Sequence, residues 1–402
     1  MKDIAIILGI RPDVIRASKI LKLLESSNNL TYDFIWSGQH YSENMKDVFF
    51  EQLNVPKPNV EFEIEKGNDA AIVSSVIKNT YNHLEKNKYK AVVFLGDTNT
   101  VMGSIAVAQH NIPIVHIEGC MRSYDWRMPE EKYRTTIDHL SDRIYAYLDG
   151  YKNQGLKEGI SEQIIKVTGN PIVDIINENK NLFESGDQFL SQEISKLIEK
   201  DEFLLATVHR RENVLEESSL KEIVNLINKT DKNVIFPMGY TTQMKMKEFN
   251  LILNSNVYVC DPIGYLEFMH LLGRSEYVLS DSGTVVEEAC ILGTASIQLR
   301  FSTERPEVYD VKSSVKFDPS EQHTDYESFI SKVESMKNTK WEQPFGDWTA
   351  SDKIVEDLVN LSNTDSFKKH SPSDYPFDIS NSLKGWKGYY SILLQYLRII
   401  FA

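Results

Sequence analysis

The chain has 402 residues, 41% of them hydrophobic and 25% charged, a globular composition at a length where one hydrophobic core usually gives way to two. Its formal net charge of −14 argues against general nucleic-acid binding, which needs clustered Lys and Arg, yet a local basic pocket can still take a phosphorylated small molecule. Cys120, Cys260 and Cys290 are scattered in apolar sequence without metal-ligand spacing, so no metal site is expected and buried reduced thiols are. The apolar stretch in MKDIAIILGIRPD is too short for a secretion signal and reads as a first β-strand of a cytoplasmic protein.

Strands are predicted at IAIIL (4–8), YDFIWS (32–37), AVVFLG (91–96), IPIVHI (112–117), RIYAYL (143–148) and IIKVTG (164–169). Between them, VIRASKILKLLES and ENMKDVFFEQL carry apolar residues at the three- and four-residue spacing of helices. After a charged, helix-rich stretch around 178–202, a second series begins. It comprises FLLATVH (203–209), NVIFPM (233–238), VYVCDP (257–262), YVLSDS (277–282) and ASIQLR (295–300). Apolar strands separated by helices imply parallel sheets covered on both faces, so the fold class is α/β with two doubly wound, Rossmann-like domains. The expected division is 1–175, 176–362 and a linker with an apolar tail at 363–402. DKIVEDLVNL (352–361) reads as an amphipathic helix, and YYSILLQYLRIIF (389–401) as an apolar segment too short to span a bilayer. That tail is expected to pack on the protein's own surface or on a partner subunit. Peripheral attachment to a membrane surface, helped by Lys384, Trp386 and Lys387, is the alternative.

Two such halves leave a cleft faced by strand ends, where ligands of open α/β sheets bind. Polar residues follow the apolar strands at four places. GIRPD (9–13) offers a tight turn, a helix N-terminus and Arg11, with Arg16 a turn further on. LGDTNT (95–100) places Asp97 at a strand end, where it is either a helix cap or a functional acid. HRREN (209–213) is a compact positive cluster suited to phosphate. SDSGTVVEEA (280–289) opens a helix with Ser282, Gly283 and Thr284, a natural phosphate cradle. Glu288 follows inside that helix, and FSTERPE (301–307) adds Arg305. Glu287 and Glu288 could instead simply favour the helix dipole. A further charged run, HIEGCMRSYDWRMPEEKYR (116–134), follows the strand IPIV and reads either as a solvated loop or as one wall of a catalytic cleft.

GIRPDVIR, SGQHYSENMKDVFF, LGDTNT, HIEG, RMPEEKYR, VTGNPIVD, HRREN and DSGTVVEEACILG with ERPE stand in the order and spacing of one family. Over roughly residues 1–362 the chain resembles the non-hydrolysing UDP-N-acetylglucosamine 2-epimerases. The resemblance implies two Rossmann-like domains in a GT-B-like arrangement, the active site in the cleft, a homodimer, and a UDP-amino sugar as substrate with no cofactor. It implies Asp97, Glu118 and Glu130 as catalytic acids with His209. Arg11, Arg16, His209, Ser282, Gly283, Thr284, Glu288 and Arg305 would hold the substrate, Glu288 at the ribose and Arg305 near the phosphates. Family chemistry eliminates UDP to a 2-acetamidoglucal and adds it back after protonation of the opposite face, which supplies precursors for surface polysaccharides.

The chain also departs from the family pattern. Ile10 and Arg16 replace its usual Thr and Lys, Asp13 its Glu, and Thr284 its second Gly. Members regulated by a second, allosteric UDP-N-acetylglucosamine carry a His where this chain has PMGY (237–240), although Gln39, His40 and Arg210 match other parts of that site. Branches acting on 6-deoxy-talosamine sugars, giving UDP-N-acetyl-L-fucosamine, or on diacetamido uronates leave the sugar open. A GT-B glycosyltransferase, a hydrolysing epimerase and a non-catalytic nucleotide-sugar sensor are the other readings.

Overall fold

The computed structural model describes residues 2–27, 29–38, 50, 53–65, 67–199, 202–337 and 339–367. Gln39, His40, most of ENMKDVFFEQL and the apolar tail lie outside the described residues. Thirteen strands are described, β1 Ile4–Leu8, β2 Tyr32–Trp36, β3 Val60–Glu61, β4 Ala91–Leu95, β5 Ile114–Ile117, β6 Arg143–Ala146 and β7 Ile165–Val167 in the first series. β8 Phe203–Thr207, β9 Asn233–Pro237, β10 Val257–Cys260, β11 Tyr277–Ser280, β12 Ala295–Leu299 and β13 Ser314–Phe317 form the second.

The strands build a seven-stranded sheet of order β3-β2-β1-β4-β5-β6-β7 and a six-stranded sheet of order β10-β9-β8-β11-β12-β13. Every pairing in both sheets is parallel. Both are doubly wound, and the winding reverses between β1 and β4 in one sheet and between β8 and β11 in the other. A reversal sends neighbouring crossovers to opposite faces, so the strand ends there part and leave a crevice. The loops at these points begin at Gly9 and Gly96 in the first sheet, and at Val208 and Asp281 in the second.

The central strands explain their own position. IAIIL of β1 and AVVFL of β4 are buried at every residue, as a parallel strand covered by helices on both faces must be. Two strands were not anticipated from sequence. β3 has only two residues, and β13, SVKF, is an edge strand whose Ser314 hydroxyl meets Ser296 across the ladder at 2.9 Å. Neither has a long enough apolar run to register as a strand on its own.

One continuous apolar cluster runs from β1 and the helix Arg11–Ser26 into the helices Tyr265–Arg274 and Gly283–Leu292 of the second half. The helix Pro171–Glu178 sits between the halves and touches both Arg11–Ser26 and Gly283–Leu292. The closing helix, Ala350–Asn363, returns to the first sheet. There Asp357 takes Arg143, Lys166 and the Tyr145 hydroxyl at 2.8–2.9 Å, and Asp352 meets Lys19 at 2.8 Å. Cys120 and Cys290 are buried, Cys260 half-buried, and all three are free thiols. No helix of the described residues is long and apolar enough to cross a membrane.

Candidate active site

Two adjoining cavities open where the reversal points of the sheets face one another. The larger, about 770 Å³, is lined from the first half by Arg16, Asp97, Glu118, Arg127 and Glu130, and from the second by His209, Arg210, Ser282, Thr284, Glu304 and Arg305. The smaller, about 330 Å³, is lined by Arg11, Tyr265, Phe268, Pro262, Ile263 and Glu288. Pro12, His209, Ser282 and Thr284 border both, so the two chambers meet at the start of the helix Gly283–Leu292.

The charged run after β5 is mostly internal architecture. Asp138 accepts hydrogen bonds from the Cys120 amide at 2.9 Å and from Arg122 at 2.7 Å, and pairs with His116 at 2.7 Å. Glu131 accepts from the Ser123 amide and hydroxyl and the Tyr124 amide, at 2.9–3.1 Å, and pairs with Arg134 at 3.3 Å. These bonds hold a tight backbone path in which Glu118, Cys120 and Tyr124 all take positive φ, 78°, 66° and 57°. A non-glycine residue in that region is strained, and such strain persists only where surroundings over-determine it. What the loop leaves facing the cavity is Glu118, Arg127 and Glu130.

Each first-half carboxylate is differently furnished. Asp97 follows Gly96, whose φ of +81° turns the chain at the end of β4, and pairs with the buried guanidinium of Arg134. Glu118 is 1% exposed and pairs with Arg16; it also accepts from the Tyr147 hydroxyl at 3.1 Å and meets Arg305 at 3.5 Å. Glu130, in the first turn of the helix Pro129–Leu140, is raised above the usual carboxylate range by burial. Asp13 lies behind them, fully buried. Burial raises it to about 6 although Arg16 bonds it at 2.9 Å, and its Oδ2 has no hydrogen-bond partner among the described residues.

The second half presents donors. Buried Asp281 accepts from the amides of His209 and Arg210 at 2.8–3.1 Å, which fixes the turn after β8. Ser282 caps the helix Gly283–Leu292 by accepting from the Val285 amide at 3.4 Å, leaving other first-turn N–H groups directed at the cavity junction. A Cβ on Gly283 would stand 2.6 Å from Arg305 Nη1, so the close approach of that guanidinium requires glycine. Arg305 itself ties the halves together, pairing with Glu287 at 2.8 Å, with Glu304, and with Glu118 across the cleft. Burial works against its charge, but Glu287 and Glu304 outweigh burial and hold it above the ordinary guanidinium value. Glu304 is likewise opposed by burial, yet Arg300 and Arg305 keep it well below the carboxylate range. Glu288 is pushed up to about 8 by burial, with the Tyr265 hydroxyl donating to it at 3.0 Å.

The residues singled out from sequence therefore meet. Asp97, Glu118, Glu130, Arg16 and Arg305 line the larger chamber, Arg11 and Glu288 the smaller, and His209, Ser282 and Thr284 their junction, while Gly283 lines neither. Arg210, matched in sequence to a second site, lines this same larger chamber 4.0 Å from Glu304. From sequence, Arg127 and Arg134 figure only as part of the charged run after β5, and Glu304 has no role. All three stand inside quoted motifs, RMPEEKYR and ERPE, where a charged residue near an assigned one is the available signal. Among the described residues no group of three His, Cys, Asp or Glu side chains could hold a metal ion.

A family model described as UDP-N-acetylglucosamine 2-epimerase matches residues 22–359. A UDP-N-acetylglucosamine 2-epimerase of Methanocaldococcus jannaschii is 39% identical over 367 residues, which covers 89% of this chain and 98% of that protein. A UDP-2,3-diacetamido-2,3-dideoxy-D-glucuronate 2-epimerase of Pseudomonas aeruginosa is 31% identical over 365 residues, 88% of this chain and 99% of that protein. The crystal structure of the M. jannaschii UDP-GlcNAc 2-epimerase in complex with UDP-GlcNAc and UDP is similar with a TM-score of 0.80 at 37% identity, covering 89% of this chain and 99% of that one. The chain belongs to the UDP-N-acetylglucosamine 2-epimerase family, isomerases with two Rossmann-like lobes in a GT-B-like arrangement.

Proposed function

We propose that the protein is a non-hydrolysing 2-epimerase interconverting UDP-N-acetylglucosamine and UDP-N-acetylmannosamine, for surface polysaccharide precursors. The observation that carries this reading is the convergence of Asp97, Glu118 and Glu130 on one chamber whose opposite wall is a helix N-terminus with His209 and Arg305. In this reading the nucleoside occupies the smaller chamber, with Glu288 at the ribose and Arg11 nearby. The diphosphate lies at Ser282, Gly283 and Thr284, where first-turn amides favour an anion. The amino sugar then faces the carboxylates.

The chemistry explains the pairing of walls. Breaking the C2–H bond and the C1–O bond leaves a C1–C2 double bond, and UDP departs with the C–O electron pair. Return of a proton to the opposite face of C2, with re-formation of the C1–O bond, inverts the centre. One carboxylate must accept the proton and a second must deliver one from the other face. Charge building on the departing diphosphate is met by Arg16, Arg305, His209 and the helix amides.

A diacetamido uronate is the second reading, favoured by the Pseudomonas aeruginosa relative. Proton NMR in heavy water, run across UDP-N-acetylglucosamine and other UDP-2-acetamido sugars, tests both. The expected result is the C2 epimer with deuterium at C2, and the sugar turned over fastest identifies the substrate. No exchange with any sugar of the panel overturns the proposal. Free N-acetylmannosamine would mean hydrolysis, and UDP release only with an acceptor would mean glycosyl transfer. A cytoplasmic homodimer is part of the same reading. Sedimentation and membrane partition with and without residues 383–402 test its assembly and the role of the tail.

A further inference from the structure

Resting on the 2-epimerase reading, we propose that Tyr147 is a positioning residue for Glu118, holding that carboxylate in place when its arginine partners turn to the substrate's diphosphate. Three side chains hold Glu118: Arg16 and the Tyr147 hydroxyl on one carboxylate oxygen, and Arg305 on the other. Two of the three have a second task, because Arg16 and Arg305 line the chamber where a dianionic leaving group would draw on their charge. A guanidinium shared with phosphate holds a carboxylate less firmly. Tyr147 has no such competing task. It lies one residue past β6, is 1% exposed, borders neither chamber, and its hydroxyl hydrogen bond goes to Glu118 Oε2 at 3.1 Å.

The site also needs such an anchor. Glu118 stands on a backbone at φ 78°, with Cys120 and Tyr124 left-handed too, a strained path that persists only because its surroundings hold it. The amides of Glu118 and Gly119 both reach the Tyr145 carbonyl, at 3.1 and 3.3 Å, which registers the loop on β6 two residues before Tyr147. β6 thus holds the backbone of Glu118 through Tyr145 and its carboxylate through Tyr147. Burial raises the Tyr147 phenol well above its ordinary value, so it remains a donor throughout any practical assay range.

The charged groups around this pair come from several elements: Asp13 and Arg16 from the helix Arg11–Ser26, Glu287 from the helix Gly283–Leu292, and Glu304 and Arg305 from the loop after β12. All remain in a Tyr147→Phe enzyme, so the substitution isolates one hydrogen bond. Removing a donor from the ionised carboxylate disfavours that form, raises its pKa and moves the acid limb of the kcat profile to higher pH. The expected result is a kcat about tenfold lower, a KM within about twofold of the parent, and the acid limb displaced upward. An unmoved limb, an unchanged kcat, or a loss carried by KM instead overturns the proposal. If Tyr147→Phe does not fold, 3-fluorotyrosine at position 147 donates a stronger bond and must move the limb downward, and an unmoved limb again overturns it. The two readings fail separately. A parent enzyme that exchanges no C2 hydrogen removes the epimerase reading, whereas parent exchange with an unshifted Tyr147→Phe limb removes only the role of Tyr147.

Discussion

The two walls of the cleft differ in their balance of acids and donors. On the first-sheet wall three acids, Asp97, Glu118 and Glu130, face the chamber beside Arg16 and Arg127, and Arg134, 1% exposed, stands behind Asp97. On the second-sheet wall the donors His209, Arg210 and Arg305 face the larger chamber beside one acid, Glu304, and fully buried Asp281 holds the amides of His209 and Arg210 from behind. The first wall can therefore take up and release protons, and the second can receive an anion. Each buried charge has its counter-charge on its own side, which keeps the cost of desolvating both walls tolerable. Arg305, paired with Glu287 and Glu304 on its own side, also reaches across to Glu118 of the first wall.

The largest test of this division is Glu118→Gln. The amide keeps the shape and can still accept from Tyr147, but it cannot take a proton. C2 exchange should fall about 10³-fold, the range of a lost general base, while UDP affinity stays within a few fold because Arg16, Arg305, His209 and the helix amides proposed to meet the diphosphate are all retained. Isothermal titration with UDP beside the exchange assay separates the two. A parallel loss of UDP binding would mean that the walls are not independent. The complementary change, Gly283→Ala, drives a Cβ against the Arg305 guanidinium at 2.6 Å. Here KM for the UDP-sugar should rise about tenfold with a smaller change in kcat, since the arginine must give way at the anion side. An unchanged KM would show that Arg305 does not help hold the phosphates.

How far this division could be read from the sequence depended on the range of the interactions that make it. IAIIL and AVVFL are legible because a strand buried on both faces needs an unbroken apolar run, whereas SVKF at the sheet edge needs none. Asp97 and Glu118 stand out as charges that directly follow apolar strands. Their partners do not, because which arginine meets which carboxylate is set by packing between the lobes. Glu118 and Arg305 are 187 residues apart in the chain. The choice between Glu287 and Glu288, open in the sequence, resolves by direction. Glu288 borders the smaller chamber, while Glu287 turns to Arg305 and to Asn170 at 3.2 Å. Tyr147, in a predicted strand, carries no sequence signal that separates a core tyrosine from one that holds a catalytic acid.

The smallest expected effect concerns Glu288, an acid of the second wall with no ion pair among the described residues. It accepts a hydrogen bond from the neutral Tyr265 hydroxyl, and burial lifts it from 4.5 to about 8. The folded protein then keeps Glu288 protonated at neutral pH, whereas the unfolded chain ionises it near 4.5. Because the folded state binds the extra proton, this group's contribution to stability is fully present below about 4.5, declines as pH rises, and is lost above about 8. Glu288→Gln has no proton to lose. Without ligand, the melting temperature of the parent should therefore fall relative to the variant between about pH 5 and 8, and the gap should level off above that range. Excess UDP should narrow the gap's pH dependence in the parent, because ribose hydroxyls donating to Glu288 favour its ionised form. A difference that stays flat with pH would mean that Glu288 is ionised in the folded protein, as Glu304 is beside Arg305.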